Sequence, residues 1–331
     1  HLRFGAEIEQ VTYTGDDWCV RLAGGEELRA DFVVSALGGL HRPHVPEIPG
    51  ADRFAGEAFH TAEWRRDLDL SGRRVGLLGS AASAIQIAPE VAGRAARLTV
   101  FQRTPNWILP RRDRAYSPAW RKAFRSVPGL ARLYRSAIYL AMESRYPAFV
   151  QGSRLGRLVE RLCRRSIAER VPDEGLRAKV TPDYRPGCKR MLISDDYLET
   201  LQRDDVSLVT EAIARIEPEG VRTADGRLHE LDTLVYATGF EPFNFLGPLS
   251  VTGRGGVRLA DRWAQGVDSH RTVAVPGFPN FFMLLGPNSG LGHNSVIVMI
   301  EAQVRYVLGC IRAATRGGLV HLDPRAERAA A

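Results

Sequence analysis

Cysteine is scarce in this chain. Four in 331 residues (Cys19, Cys163, Cys188 and Cys310) stand far apart, with no C-x-x-C pair. That spacing excludes a disulfide-stapled scaffold, a zinc finger or ribbon and a thiol–disulfide reductase centre, and no metal site is expected. No run reaches the ~18 consecutive apolar residues of a membrane-spanning helix. The opening His1-Leu2-Arg3-Phe4-Gly5 has no signal-peptide apolar core. A reduced, cytoplasmic protein without stable membrane insertion is the expectation. RNA-binding and zinc-finger patterns are missing too. The formal net charge of +7 comes from scattered arginines, with short clusters such as Arg111-Arg112 and Arg164-Arg165. A solvated basic surface accounts for it, and no nucleic-acid partner is expected.

What is present is an ordinary globular composition, 44% apolar and 25% charged, in a chain long enough for two domains. Its organising stretch is Arg74-Val75-Gly76-Leu77-Leu78-Gly79-Ser80-Ala81-Ala82-Ser83-Ala84-Ile85-Gln86. An apolar run ends in small residues and a helical pattern follows at once, as in the strand–turn–helix of a dinucleotide-binding unit. Small residues let the backbone approach a pyrophosphate at the helix N-terminus. The spacing G-x-G-x-x-G/A falls on Gly79, Ala81 and Ala84. Alanine therefore replaces glycine at the middle position, where a phosphate would come closest.

An internal repeat sets the domain plan. Asp31 to Gly38 and Asp232 to Gly239 both read D-x-[VL]-V-x-A-x-G, each after a strand-and-turn region. The first copy is a continuous apolar strand of the kind buried on both faces. Two such ends imply two Rossmann-like dinucleotide-binding domains in an α/β fold. Only the second copy has a glycine turn, so the chain reads as N-terminally truncated, with its first domain incomplete. The expected layout is residues 1–66 for the partial first domain and linker (Pro43, Pro46, Pro49-Gly50), 67–240 for the second domain, and 241–331 for a return to the first. Residues 118–170, rich in Ala, Arg and Leu at helical spacing, read as a helical insertion. A membrane-surface helix is the alternative for that segment. A further helix is expected over 295–314.

In NAD-binding units an acidic residue about 20 positions past the turn grips the ribose 2′-hydroxyl. Here that position is Arg103, followed by Thr104, with no Asp or Glu at the strand end. Arginine pairs with a 2′-phosphate, so NADPH is favoured over NADH.

The segment Phe54-Ala55-Gly56-Glu57-Ala58-Phe59-His60-Thr61-Ala62-Glu63-Trp64 spells F-x-G-x-x-x-H-x-x-x-W. It resembles the fingerprint of type I Baeyer–Villiger monooxygenases and the related flavin-containing monooxygenases. Pro186-Gly187-Cys188-Lys189-Arg190, Ala237-Thr238-Gly239-Phe240 and Pro279-Asn280-Phe281 to Gly286-Pro287-Asn288 are similar to further motifs of that superfamily, in the same order. The resemblance implies FAD in the first domain and NADPH in the second. It implies insertion of one oxygen atom of O2 into a ketone, giving an ester or lactone. N- or S-oxygenation of an amine or sulfide is the alternative chemistry. A non-catalytic NADP(H)-binding fragment is the alternative from another class.

By the same resemblance Arg190 is the active-site arginine, a permanent cation that stabilises negative charge developing on oxygen. His60 joins it among the catalytic residues, coupling cofactor binding to domain motion rather than donating a proton. Gly79, Ser80, Ala81, Ala82, Ser83, Ala84, Arg103, Thr104 and Lys189 are expected to hold NADPH. Gly38, Ala237, Thr238, Gly239 and Asn288 complete the cofactor-binding set.

Overall fold

The computed structural model describes residues 2–111, 113–150, 152–241 and 246–328. The chain divides into two compact units. A middle unit holds residues 43–239 with 292–294, and a terminal unit holds the segments on either side.

The middle unit is built on a five-stranded parallel sheet. Its order is Val206–Val209, Arg97–Phe101, Arg74–Leu78, Thr233–Tyr236 and Glu57–His60. Side chains alternate along each strand, so one strand feeds two layers. Val75, Leu77, Leu98, Val100 and Val235 join a core with Ala84, Ile85 and Ala88 of the helix Ala84–Ala92 and with Cys163 and Ile167 of the helix Arg154–Arg170. Leu78, Phe101, Leu234 and Tyr236 point the other way, onto Ile216 and Val221 of an antiparallel meander (Ile213–Glu217, Gly220–Thr223, Leu228–Glu230). Burying each such side chain contributes about 1.5–3 kcal/mol. Gly76 is set by this second layer, because a Cβ there would lie 2.5 Å from Leu231.

Residues 118–170 carry the helices Pro118–Ser126, Leu130–Glu143, Tyr146–Phe149 and Arg154–Arg170. Ser117 and Ser153 cap the first and last of these by accepting from Trp120 N and Gly156 N. Among the described residues no helix is long and apolar enough to cross a membrane.

One segment behaves differently from the linker reading. Residues 43–66 cluster with the middle unit, and Glu57–His60 is the edge strand of its sheet. The fingerprint explains why. Gly56 allows the chain to pass so close to Asp232 that a Cβ would sit 2.4 Å from its carbonyl oxygen, and Glu57 N then donates to that oxygen at 3.2 Å. Phe54 packs on the meander layer, and Trp64 sets its ring edge-on to Phe59 at 5.3 Å.

In the terminal unit a four-stranded sheet runs in the order Ser250–Thr252, Ile8–Tyr13, Trp18–Leu22, Glu27–Ala30. Trp18 is fully buried, stacks near Tyr13 and Phe281, and donates its indole N–H to Pro279 O at 2.8 Å. Val33–Ser35 pairs in parallel with Phe281–Met283. Asn280, 1% exposed with φ 59°, ties the segments together. Its amide donates to Asp31 O and Val320 O and accepts from Leu322 N. The C-terminal helix is Val296–Gly317, which runs past the expected end at 314, and it ends on Gly318 at φ 63°.

Candidate functional site

The carboxyl ends of Arg74–Leu78, Arg97–Phe101, Thr233–Tyr236 and Glu57–His60 all face one edge of the middle sheet. After Arg74–Leu78 the chain builds outward through 97–101 and 206–209, then returns on the other side as 233–236. That reversal is a topological switch point, the place where open α/β sheets bind ligands.

Gly79 sits at the switch point. Its φ is +114°, its N–H donates to Phe101 O at 3.0 Å, and a Cβ would lie 2.4 Å from Ala237 O. Both the left-handed conformation and the close approach demand glycine. Ala237 in turn donates to Leu78 O at 2.8 Å, so the two strand ends are locked side by side. Ser80 is buried, and Ala81 and Ala82 are exposed at the start of the helix that follows. The backbone N–H groups of Ala81, Ala82, Ser83 and Ala84 have no hydrogen-bond partner among the described residues. Ser83 supplies no side-chain cap. Unpartnered amides at a positive helix end form an anion-binding site.

A second turn packs on the first. Ser80 Oγ donates to Thr104 O at 3.2 Å, and Asn106 Nδ2 donates to Ser80 O at 3.1 Å. Arg103 is exposed, and its guanidinium has neither a hydrogen bond nor an ion pair among the described residues. The glycine turn and the backbone turn that carries Arg103 are therefore braced against each other. Sequence reasoning missed Asn106 and Trp107. Asn106 stood as a polar residue directly after Arg-Thr-Pro in a loop, whereas Trp107 is a core residue, 1% exposed, whose indole N–H donates to Tyr184 O.

Lys189 and Arg190 are both exposed on a loop of the same unit, and the Lys189 ammonium lies 4.8 Å from the centre of the Tyr184 ring. His60 is 2% exposed at the end of the edge strand and opposite Tyr236. Its Nδ1 accepts from Ala62 N at 3.1 Å and so caps the short turn Thr61–Glu63. Thr238 donates its hydroxyl to His44 O, and Gly239 O accepts from His44 N, which fastens the 43–66 segment to the same strand ends. Gly38 and Asn288 belong to the terminal unit. Gly38 has φ 68° with nothing within 4 Å of a Cβ, and Asn288 is exposed with φ 62°.

Comparison with known proteins agrees with this geometry. Residues 1–133 match the family model described as pyridine nucleotide-disulphide oxidoreductase. All four cysteines of this chain are nevertheless free thiols. A Baeyer–Villiger monooxygenase of Streptomyces coelicolor is 40% identical over 328 residues, covering 98% of this chain and 63% of that protein. The open crystal structure of cyclohexanone monooxygenase superposes with a TM-score of 0.87 at 30% identity, over 100% of this chain and 72% of that one. The chain belongs to the superfamily of type I Baeyer–Villiger and flavin-containing monooxygenases. A further member, the OTEMO complex with FAD and NADP, gives a TM-score of 0.89 at 29% identity, with 100% and 70% coverage. The chain spans 65% of the length of the mycobacterial monooxygenases of this superfamily that it matches.

Proposed function

We propose that this chain is an FAD- and NADPH-dependent monooxygenase that inserts one oxygen atom of O2 into a ketone, giving an ester or lactone. One observation carries the nucleotide half of this reading. Four unpartnered amides at the Ala84–Ala92 helix start sit beside an unpaired, exposed Arg103 on a turn hydrogen-bonded to theirs. The amides suit the pyrophosphate of a dinucleotide, and the guanidinium suits its 2′-phosphate. In the reading proposed here, Gly79 admits the backbone to the phosphates, Thr104 and Lys189 join Arg103, and Ala237, Thr238 and Gly239 wall the opposite side.

FAD, when bound, supplies the electron transfer and oxygen activation. Gly38 and Asn288 are the residues assigned to it, and their left-handed, open backbone leaves room for a cofactor to approach. Arg190 contributes a charge that is present at every working pH, suited to an oxygen on which negative charge builds up. His60 orients the fingerprint segment through its cap. The ketone preference rests on the fingerprint ending in Trp64 and on the Baeyer–Villiger relatives.

The test is NADPH-dependent oxygen uptake with a panel of cyclic ketones, tertiary amines and sulfides, alongside product analysis. Ketones should stimulate uptake and yield lactones. Stimulation by amines or sulfides alone would replace the reading with heteroatom oxygenation, and tight NADPH binding with no uptake would leave a binding module. Arg103→Ala should weaken NADPH by about ten-fold or more and leave NADH nearly unchanged, since a charge-assisted hydrogen bond contributes about 1.5–3 kcal/mol.

A further inference from the structure

Lysine on an exposed loop ordinarily carries its charge on a flexible four-carbon stem. Lys189 is exposed, yet its ammonium is held 4.8 Å above the Tyr184 ring. The chain between them shows how. Cys188 N donates to Arg185 O at 3.1 Å, closing a turn whose central residues are Pro186 and Gly187, with Gly187 at φ 95°. Proline followed by a left-handed glycine is the signature of a type II turn. That turn folds the chain back so that residue 189 lies over residue 184.

Tyr184 is itself fixed from two directions. Its hydroxyl donates to Pro105 O at 3.0 Å, and its backbone carbonyl accepts from Trp107 Nε1 at 2.8 Å. Trp107 is 1% exposed and is covered on one face by the Arg164 guanidinium at 5.3 Å. Pro105 lies between Thr104, whose carbonyl takes the Ser80 hydroxyl, and Asn106, whose amide donates to Ser80 O. A continuous set of contacts therefore runs from the glycine turn, through the Arg103–Thr104 turn and the phenol ring, to the Lys189 ammonium. Burial of the ring pushes the phenol pKa up and keeps its hydroxyl a donor.

We propose that Tyr184 is a positioning residue for recognition of the cofactor 2′-phosphate. It holds Lys189 in register with the Arg103–Thr104 turn, so that two cations meet one phosphate without the entropy cost of ordering a free lysine. This rests on the NADPH reading above and deepens it. Tyr184 touches no cofactor; it acts through Lys189.

Calorimetric titration of the full chain with 2′,5′-ADP and with 5′-AMP tests the proposal. The two probes differ only in the 2′-phosphate. The wild type should bind 2′,5′-ADP more tightly. Tyr184→Leu should weaken 2′,5′-ADP by about three- to ten-fold, the range of one cation–π contact, and change 5′-AMP by less than about two-fold. Tyr184→Phe keeps the ring and should retain most of the discrimination, so the proposal stays testable if the leucine variant folds poorly. In a Lys189→Ala background the Tyr184→Leu change should have no further effect, because the two act as one unit. Equal weakening of both probes, or an undiminished Tyr184→Leu effect without Lys189, overturns the positioning role. A wild type that does not prefer 2′,5′-ADP overturns the NADPH reading, and this proposal with it.

Discussion

The two copies of the D-x-[VL]-V-x-A-x-G strand end share a motif and have very different surroundings. In the middle unit Thr233–Tyr236 has parallel neighbours on both sides and all four residues are buried. In the terminal unit Val33–Ser35 pairs with one strand among the described residues, and Val34 is 41% exposed. Asp232 accepts from Arg74 N at 2.8 Å and forms an ion pair with its guanidinium at 2.7 Å. Asp31, by contrast, is exposed and contributes its carbonyl to Asn280. The motif specifies a strand running into a left-handed glycine, at Gly38 and Gly239 alike. How deeply that strand is buried depends on how many neighbours flank it, which the motif does not encode.

Crowding the middle copy at its Ala237 should have the largest effect. Gly79→Ala places a methyl 2.4 Å from Ala237 O on a backbone at φ +114°. Steric clash and strain together should cost about 3 kcal/mol or more, read as a large drop in melting temperature. Alanine at Gly38, which ends the terminal copy and has no neighbour within 4 Å of a Cβ, should cost only about 1 kcal/mol, the price of the backbone conformation. A matched pair of truncations sharpens the comparison next. Val235→Ala, at 0% exposure and the same motif position as Val34, should lose about 2–3 kcal/mol in a denaturant titration. Val34→Ala should lose only about 1 kcal/mol, because Val34 keeps 41% of its surface in water. Similar losses at the two sites would show that the terminal strand is covered in solution.

The aspartates differ by less. Arg74, by side-chain and then backbone hydrogen bonds, holds the Asp232 carboxyl below the usual carboxylate range. A depressed native pKa contributes stability above the unfolded pKa, about 3.9, and loses it as pH falls through the native value. The side chains of the pair are 41% and 38% exposed, so Asp232→Asn should cost under about 1 kcal/mol at neutral pH. The difference from wild type should shrink below about pH 4. A difference that persists at pH 3 would assign the effect to packing instead. Smallest of all should be Ala81→Gly. The Ala81 methyl is exposed at the mouth of the turn, so a gain in NADPH affinity of about three-fold at most is expected from letting phosphate closer.

Much of the candidate site was legible because each piece is local. The strand–turn–helix at Gly79 and the arginine at the next strand end are set by short-range rules on small residues, charge and spacing. The 118–170 insertion was legible from its helical period. The edge strand Glu57–His60 was not, because its short, proline-preceded segment reads as linker until Gly56 is seen against Asp232, 176 positions away in the chain. Tyr184 and Asn106 were equally hidden. Their importance lies in hydrogen bonds to Pro105 and Ser80, and no periodicity announces a side chain that braces two loops.

By itself the sequence determined where strands end in glycine, where a turn of small residues opens a helix and which charge stands beside it. Those features depend on backbone sterics and on the chemistry of single residues, which adjacent positions encode. Only the tertiary structure decided that residues 43–66 complete the middle sheet. It also decided that two copies of one motif differ in burial, and that the Lys189 ammonium lies over Tyr184, whose hydroxyl donates to Pro105 O. Such outcomes depend on which distant segments become neighbours, and pairing at a distance follows from the packing of the whole core.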